Sequence, residues 1–243
     1  MQIEGCVALV TGARRGLGRA FAEALVGRGA RTVYGGARDP GAVTGPGVTP
    51  VTLDVTDPRQ VAAAAERCRD VTLLVNNAGI LHASAFLEAD GAESARAEME
   101  VNYFGTLAMC RAFAPVLGRG GGGALVNMLS VVSFFANPRN GTYSASKSAA
   151  WAMTNSIRVE LRSQGTLVTG VHAGFIDTDM SAHVPASAKI SPADVARQAF
   201  DAVEAGQEEV LADERTRQTK RNLSGDQKLI YPAVQEMWDA RPR

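Results

Sequence analysis

Three adjacent stretches restrict this chain more than anything else in it: the run Val7-Ala-Leu-Val10, the turn Thr11-Gly-Ala-Arg-Arg-Gly-Leu-Gly18, and the segment that follows to Arg28. Four consecutive apolar residues read as a strand buried on both faces. In the last segment Ala20, Phe21, Ala24 and Leu25 fall on one side at helical spacing. A glycine-rich turn between a strand and a helix lets backbone approach a pyrophosphate closely. The helix start then offers free N–H groups and the positive end of its dipole. The spacing Gly12-x-x-x-Gly16-x-Gly18 differs from the commoner G-x-G-x-x-G, so its meaning rests on this strand-turn-helix setting.

The same alternation continues down the chain. Arg31–Tyr34 starts a second strand that ends at Gly35-Gly36-Ala37-Arg38. Asp39 to Pro50 holds three prolines and three glycines and reads as an irregular crossover. Val51-Thr-Leu-Asp54-Val55 reads as the third strand, and Asp57-Pro58 caps a helix reaching about Cys68. Val71–Val75 is the fourth strand and runs into Asn76-Asn77-Ala78-Gly79. Glu93 to Leu117 has helical periodicity, Gly120–Gly123 is a loop, and Ala124–Leu129 is a buried fifth strand. A helix from Tyr143 to about Arg162, the strand Leu167–His172, a helix from Ser191-Pro192 to about Ala205 and a seventh strand Glu209–Ala212 complete the pattern. Such alternation predicts an α/β domain with a doubly wound parallel sheet and helices on both faces.

Composition removes several classes of partner. The 25 basic and 25 acidic residues cancel, which leaves no footprint for nucleic acid or an anionic membrane. Cys6, Cys68 and Cys110 are scattered and odd in number, as in a reduced intracellular protein. Met1 leads straight into an apolar strand, with neither a signal peptide nor a membrane span, so the expected location is cytoplasmic. His172 and His183 have no further ligands spaced to join them, and no metal site is expected.

The chemistry concentrates at Tyr143-Ser-Ala-Ser-Lys147. On a helix, Tyr143 and Lys147 lie one turn apart on one face. An ammonium beside a phenol favours the phenolate and draws its pKa from about 10 towards neutrality. Ser130, thirteen residues before Tyr143, closes the fifth strand, where its hydroxyl can hold an oxygen that gains or loses a proton.

In this order and spacing, Thr11–Gly18, Asn76–Gly79, Asn102, Ser130, Tyr143 and Lys147 resemble the short-chain dehydrogenase/reductase family over roughly residues 5–180. The resemblance implies a single Rossmann-type domain over 1–243 with strand order 3-2-1-4-5-6-7. Residues 5–180 would be the cofactor and catalytic part, 176–205 a short substrate lid and helix, and 206–243 the last strand with an atypical tail. It also implies that Gly12, Arg14, Arg15, Gly16, Leu17 and Gly18 cradle a dinucleotide. Asp54 and Val55 would meet its adenine, and Asn77, Ala78 and Gly79 would border the adenosine ribose. Gly174, Ile176 and Thr178 would meet the nicotinamide end, although Ala173 stands where relatives usually have proline. Asn102 would help hold a water that relays protons from Lys147, and Lys147 would also bind the nicotinamide ribose.

The expected activity is hydride transfer between a nicotinamide cofactor and a small carbonyl/alcohol pair, with Tyr143 as general acid/base and Ser130 orienting the oxygen. NADP(H) is expected over NAD(H). Ala37 occupies the place where an acidic residue would bind the ribose 2′-hydroxyl, and Arg38 and Arg15 can reach a 2′-phosphate. An epimerase or dehydratase on the same scaffold, or a non-catalytic dinucleotide-binding regulator, are the alternatives. The family resemblance implies a homodimer through helices 93–118 and 143–164. The tail, with Arg215, Arg217, Lys220 and Arg221 followed by Leu229, Ile230, Ala233 and Met237 at helical spacing, leaves a homotetramer in doubt.

Overall fold

The computed structural model describes residues 1–88 and 90–240. Its strands and helices run β1 Val7–Thr11, α1 Gly16–Gly27, β2 Thr32–Ala37, β3 Val48–Thr52, α2 Pro58–Arg67, β4 Leu73–Asn76, α3 Gly91–Glu98. A π-helical segment Met99–Gly105 leads into α4 Thr106–Arg119. Then come β5 Gly123–Met128, α5 Gly141–Glu160, β6 Thr166–His172, β7 Phe175–Ile176, β8 Lys189–Ile190, α6 Pro192–Glu204 and β9 Glu209–Leu211. The tail forms α7 Glu214–Arg221, α8 Asp226–Leu229 and α9 Tyr231–Asp239.

Seven strands make one sheet in the order β3-β2-β1-β4-β5-β6-β9, and each neighbouring pair runs parallel. This is the expected Rossmann-type order. Its seventh strand is β9 because β7 and β8 pair with each other outside the main sheet. Period-two side chains explain why β1 is apolar throughout. Ala8 and Val10 enter the core beneath α1 and α6, while Val7 and Leu9 enter the core beneath α2, α4 and α5. On the first face Phe21 meets Phe200 edge-on at 5.6 Å. On the second, Met109, Phe113, Met153 and Ile157 fill the layer.

The third strand lies further towards the N-terminus than its composition suggests. Pro50 falls inside it, paired with Gly35. Because β3 is an edge strand, a missing N–H there costs no ladder bond. Asp54 and Val55 therefore lie in the following loop, where the Asp54 carboxylate accepts from the Thr56 amide and hydroxyl. A second departure is the π segment inside the expected 93–117 helix. One extra residue per turn there rotates Asn102 into the interior, where it is 1% exposed.

The two halves are tied at their carboxyl ends by a buried polar chain. Asn76 donates to Asn127 at 2.9 Å, Asn127 donates to Thr154 at 2.9 Å, and Thr154 donates to the Ala150 carbonyl at 2.7 Å. Each satisfied bond of this kind contributes about 1 kcal/mol. Together they fix the helix that carries Tyr143 against the strand ends. No helix among the described residues is long and apolar enough to cross a membrane.

Candidate active site

The strand-to-helix turn is built for close approach. Gly12 and Gly16 have φ values of +69° and +54°, and a Cβ on Gly18 would run into the Gly12 carbonyl. Thr11 locks the turn to the neighbouring strand end. Its hydroxyl donates to the Val75 carbonyl and accepts from the amides of Asn77 and Ala78 at 2.9 and 3.0 Å. The Asn77 side chain donates back to the Thr11 carbonyl at 3.0 Å. No side chain caps the start of α1, and no acid stands in its first turn. A twelve-residue helix whose first N–H groups are uncapped above a glycine cradle fits the pyrophosphate of a dinucleotide.

At the far end of that cleft, Ala37 is buried at the end of β2 and accepts from the Leu53 amide, while Arg38 is exposed. Arg14 and Leu17 flank the turn, the first exposed and the second buried. Arg15, expected to reach a phosphate pocket, stands just before the first residue of α1. Its guanidinium pairs with Asp179 at 2.6 Å. Both side chains are largely exposed, so the pair contributes at most about 1 kcal/mol. It bridges the glycine turn to the segment after β7, where Thr178 also meets Gly16.

Ser130, Tyr143, Lys147 and Asn102 are brought together at the carboxyl ends of β4 and β5. Ser130 caps a short helical turn through its hydroxyl, which accepts from the Val132 amide. Hydrogen bonding with Ser130 favours the Tyr143 phenolate, but burial acts more strongly and holds the phenol well above its usual range. Lys147 is buried too, pushed down to about 8 by loss of water. Its ammonium lies 5.7 Å from the Tyr143 ring centre and donates to the Met128 carbonyl at 2.9 Å. Desolvation, which penalises the charged form of each, governs both groups. Asn102 is committed structurally. Its amide donates to the Ile80 carbonyl and the Ser146 hydroxyl, and its oxygen accepts from the Ile80 amide, each at 2.9 Å. It pins the loop after β4 to α5.

The second half of the cleft relies on residues that spacing does not reveal. Gly174 is held by Asp213, whose Oδ2 accepts its amide at 2.6 Å. The other oxygen of Asp213 caps α7 at Thr216. The tail thereby steadies the turn that follows Ala173. Further on, Ile230, Val234 and Tyr231 pack with Val131, Val132, Phe135 and Tyr143, so α9 covers the Tyr143 side of the cleft. Among the described residues, no group of three or more His, Cys, Asp or Glu is placed to hold a metal ion.

A family model described as short chain dehydrogenase matches residues 6–189. The chain belongs to the short chain dehydrogenase family. Its place among these oxidoreductases is supported by several individual members. A sorbitol dehydrogenase from Cereibacter sphaeroides is 36% identical over 187 residues, 73% of each chain. A short chain dehydrogenase from Burkholderia cenocepacia, solved with NADP, superposes with a TM-score of 0.91 at 45% identity and full coverage of both chains. A short chain dehydrogenase/reductase from Burkholderia phymatum, solved with NAD, superposes at 0.82 with 28% identity, covering 94% of this chain and 96% of its own.

Proposed function

We propose that this short chain dehydrogenase reduces a carbonyl to an alcohol, or reverses that reaction, with NADP(H) preferred over NAD(H). The observation that carries the reading is the grouping of Ser130, Tyr143 and Lys147 at the strand ends beside an uncapped glycine cradle. A bound nicotinamide cofactor supplies the hydride. Tyr143, kept protonated by burial, donates its proton to the substrate oxygen. The Ser130 hydroxyl lies beside that phenol and orients the same oxygen as charge develops on it. Lys147 holds the nicotinamide ribose and supports proton return to Tyr143. Asn102 keeps the Ile80 loop against α5, so the floor of the site does not shift during turnover.

The cofactor preference rests on Ala37, Arg38 and Arg15. No carboxylate at the end of β2 opposes a 2′-phosphate, and the weak Arg15–Asp179 pair frees Arg15 readily for one. The adenine would lie against Asp54 and Val55, the adenosine ribose against Asn77, Ala78 and Gly79, and the nicotinamide end against Gly174, Ile176 and Thr178. We place the enzyme in the cytoplasm as a homodimer through 93–118 and 143–164, where Phe104 and Val159 are exposed at 50% and 75%. Loss of NADPH absorbance with a panel of ketones and aldehydes, repeated with NADH, tests the reaction and the preference together. No cofactor consumption with any carbonyl would overturn the first. Equal kcat/KM for both cofactors would overturn the second, and a monomer in light scattering would overturn the dimer.

A further inference from the structure

The turn from β6 into β7 has little to hold it from within. Gly174 carries no side chain to pack, and glycine loses more conformational freedom on being fixed than any other residue. This turn nevertheless sets the course of Phe175, Ile176 and Thr178, and Thr178 comes close to the glycine cradle at Gly16. On the N-terminal side the Ala173 carbonyl accepts from the Val131 amide at 2.8 Å. The Gly174 amide is held from outside, by the tail.

Two side chains at the start of α7 reach this turn. Asp213 accepts the Gly174 amide through Oδ2 at 2.6 Å, and a Cβ at position 174 would stand 3.3 and 3.4 Å from the two carboxylate oxygens. Glycine therefore lets the carboxylate come this near. One residue further along the turn, the Arg215 guanidinium lies 5.0 Å from the centre of the Phe175 ring. The carboxylate is itself fixed from behind. Its Oδ1 accepts from the Thr216 amide at 2.8 Å and from the Thr216 hydroxyl at 2.9 Å, and Thr216 is 0% exposed. The far end of α7 is anchored as well. Lys220 pairs with Glu209 of β9 at 2.7 Å and lies over the rings of Phe134 and Trp151 at 4.7 and 5.2 Å. A helix fastened at both ends thus presents two side chains to a turn built on glycine.

We propose that the start of α7 is a positioning element for the nicotinamide end of the cofactor, with Asp213 as its principal residue and Arg215 as its second. The inference rests on the reading that puts Gly174, Ile176 and Thr178 at the nicotinamide, and it gives the tail a part in that site. Both side chains act on the segment after β6, so their loss is felt at the nicotinamide end and not at the adenosine end.

The test compares two ligands that differ at that end. NADPH and 2′-phospho-ADP-ribose, which lacks the nicotinamide, are titrated by calorimetry into the full native chain, Asp213→Ala and Arg215→Ala, with circular dichroism confirming each fold. A turn in place about one-tenth of the time raises Kd about ten-fold. Asp213→Ala should therefore weaken NADPH by about ten-fold and leave 2′-phospho-ADP-ribose unchanged. Arg215→Ala removes an exposed side chain, and should show the same pattern at about two- to five-fold. Native NADPH affinity in either variant overturns the role of that residue. Equal loss for both ligands also overturns the proposal, because it marks the tail as general support for the fold. If Asp213→Ala does not fold, Arg215→Ala decides on the same two ligands. A native chain that binds neither ligand overturns the cofactor reading beneath the inference, and the native titration alone tells that failure from a failure of Asp213.

Discussion

Tyr143 is the residue on which opposing influences meet: burial holds its proton, while Ser130 loosens it. Tyr143→Phe removes only the hydroxyl. Carbonyl reduction should fall by about 10²-fold or more, the range for loss of a general acid, with cofactor affinity nearly unchanged. Steady-state rates and nucleotide titration check this, and retention of near-native turnover would refute the role. At the other end of the cleft, Ala37→Asp with Arg38→Leu should invert the cofactor preference. A hydrogen bond to a charged group contributes about 1.5–3 kcal/mol, or roughly ten-fold and upward in kcat/KM. The measurement is the ratio of kcat/KM for NADPH and NADH before and after substitution. At this scale Ser130, Tyr143 and Lys147 were legible because local spacing along one strand and one helix places them. Asp179 beside Arg15 and Asp213 beside Gly174 were not, since each pairing joins residues far apart in sequence.

Elements tell a similar story with a physical turn. The strand-turn-helix start, the Asp57 cap on α2 and the Ser191 cap on α6 stand where their residues place them. The third strand shifted because proline is tolerated at a sheet edge, and only the tertiary order reveals that β3 is the edge. The π segment was unreadable because its residues carry ordinary helical periodicity. Its stability comes from what Asn102 bonds. Asn102→Ala would leave the Ile80 amide and carbonyl without their partner, at a cost of about 2–3 kcal/mol. In a chain of this size that lowers Tm by roughly 5–10 °C. Calorimetry checks this, and an unchanged Tm would show that these bonds contribute little. The Asn102 side chain thus has a structural duty at Ile80 and Ser146.

For the molecule as a whole, the buried histidine sets a limit on acid tolerance. His172 is 1% exposed, stacks on Phe134 at 4.2 Å, and is pushed down to about 4 by burial. Its folded pKa lies below the unfolded value of 6.5. The unfolded chain therefore takes up the proton first as pH falls. Stability is intact above pH 6.5 and is lost progressively towards pH 4, by about 3 kcal/mol in all. Urea midpoints measured across that window should fall accordingly, and the His172→Phe chain should show a shallower decline. Identical slopes would count against the histidine.

The position of β1 between β2 and β4 also bears on how the chain is made. In the order of synthesis, residues 1–79 bring together four adjacent strands of the final sheet, with the glycine cradle and the Thr11 lock among them, before the later strands follow. That half-sheet has two flanks: β3, which stays an edge in the finished sheet, and β4, which is only four residues long, a length that limits mispairing with other chains. Ser130, Tyr143 and Lys147 all emerge later. On the proposed reading, the pyrophosphate cradle thus lies in the earlier half and the proton chemistry in the half that closes over it.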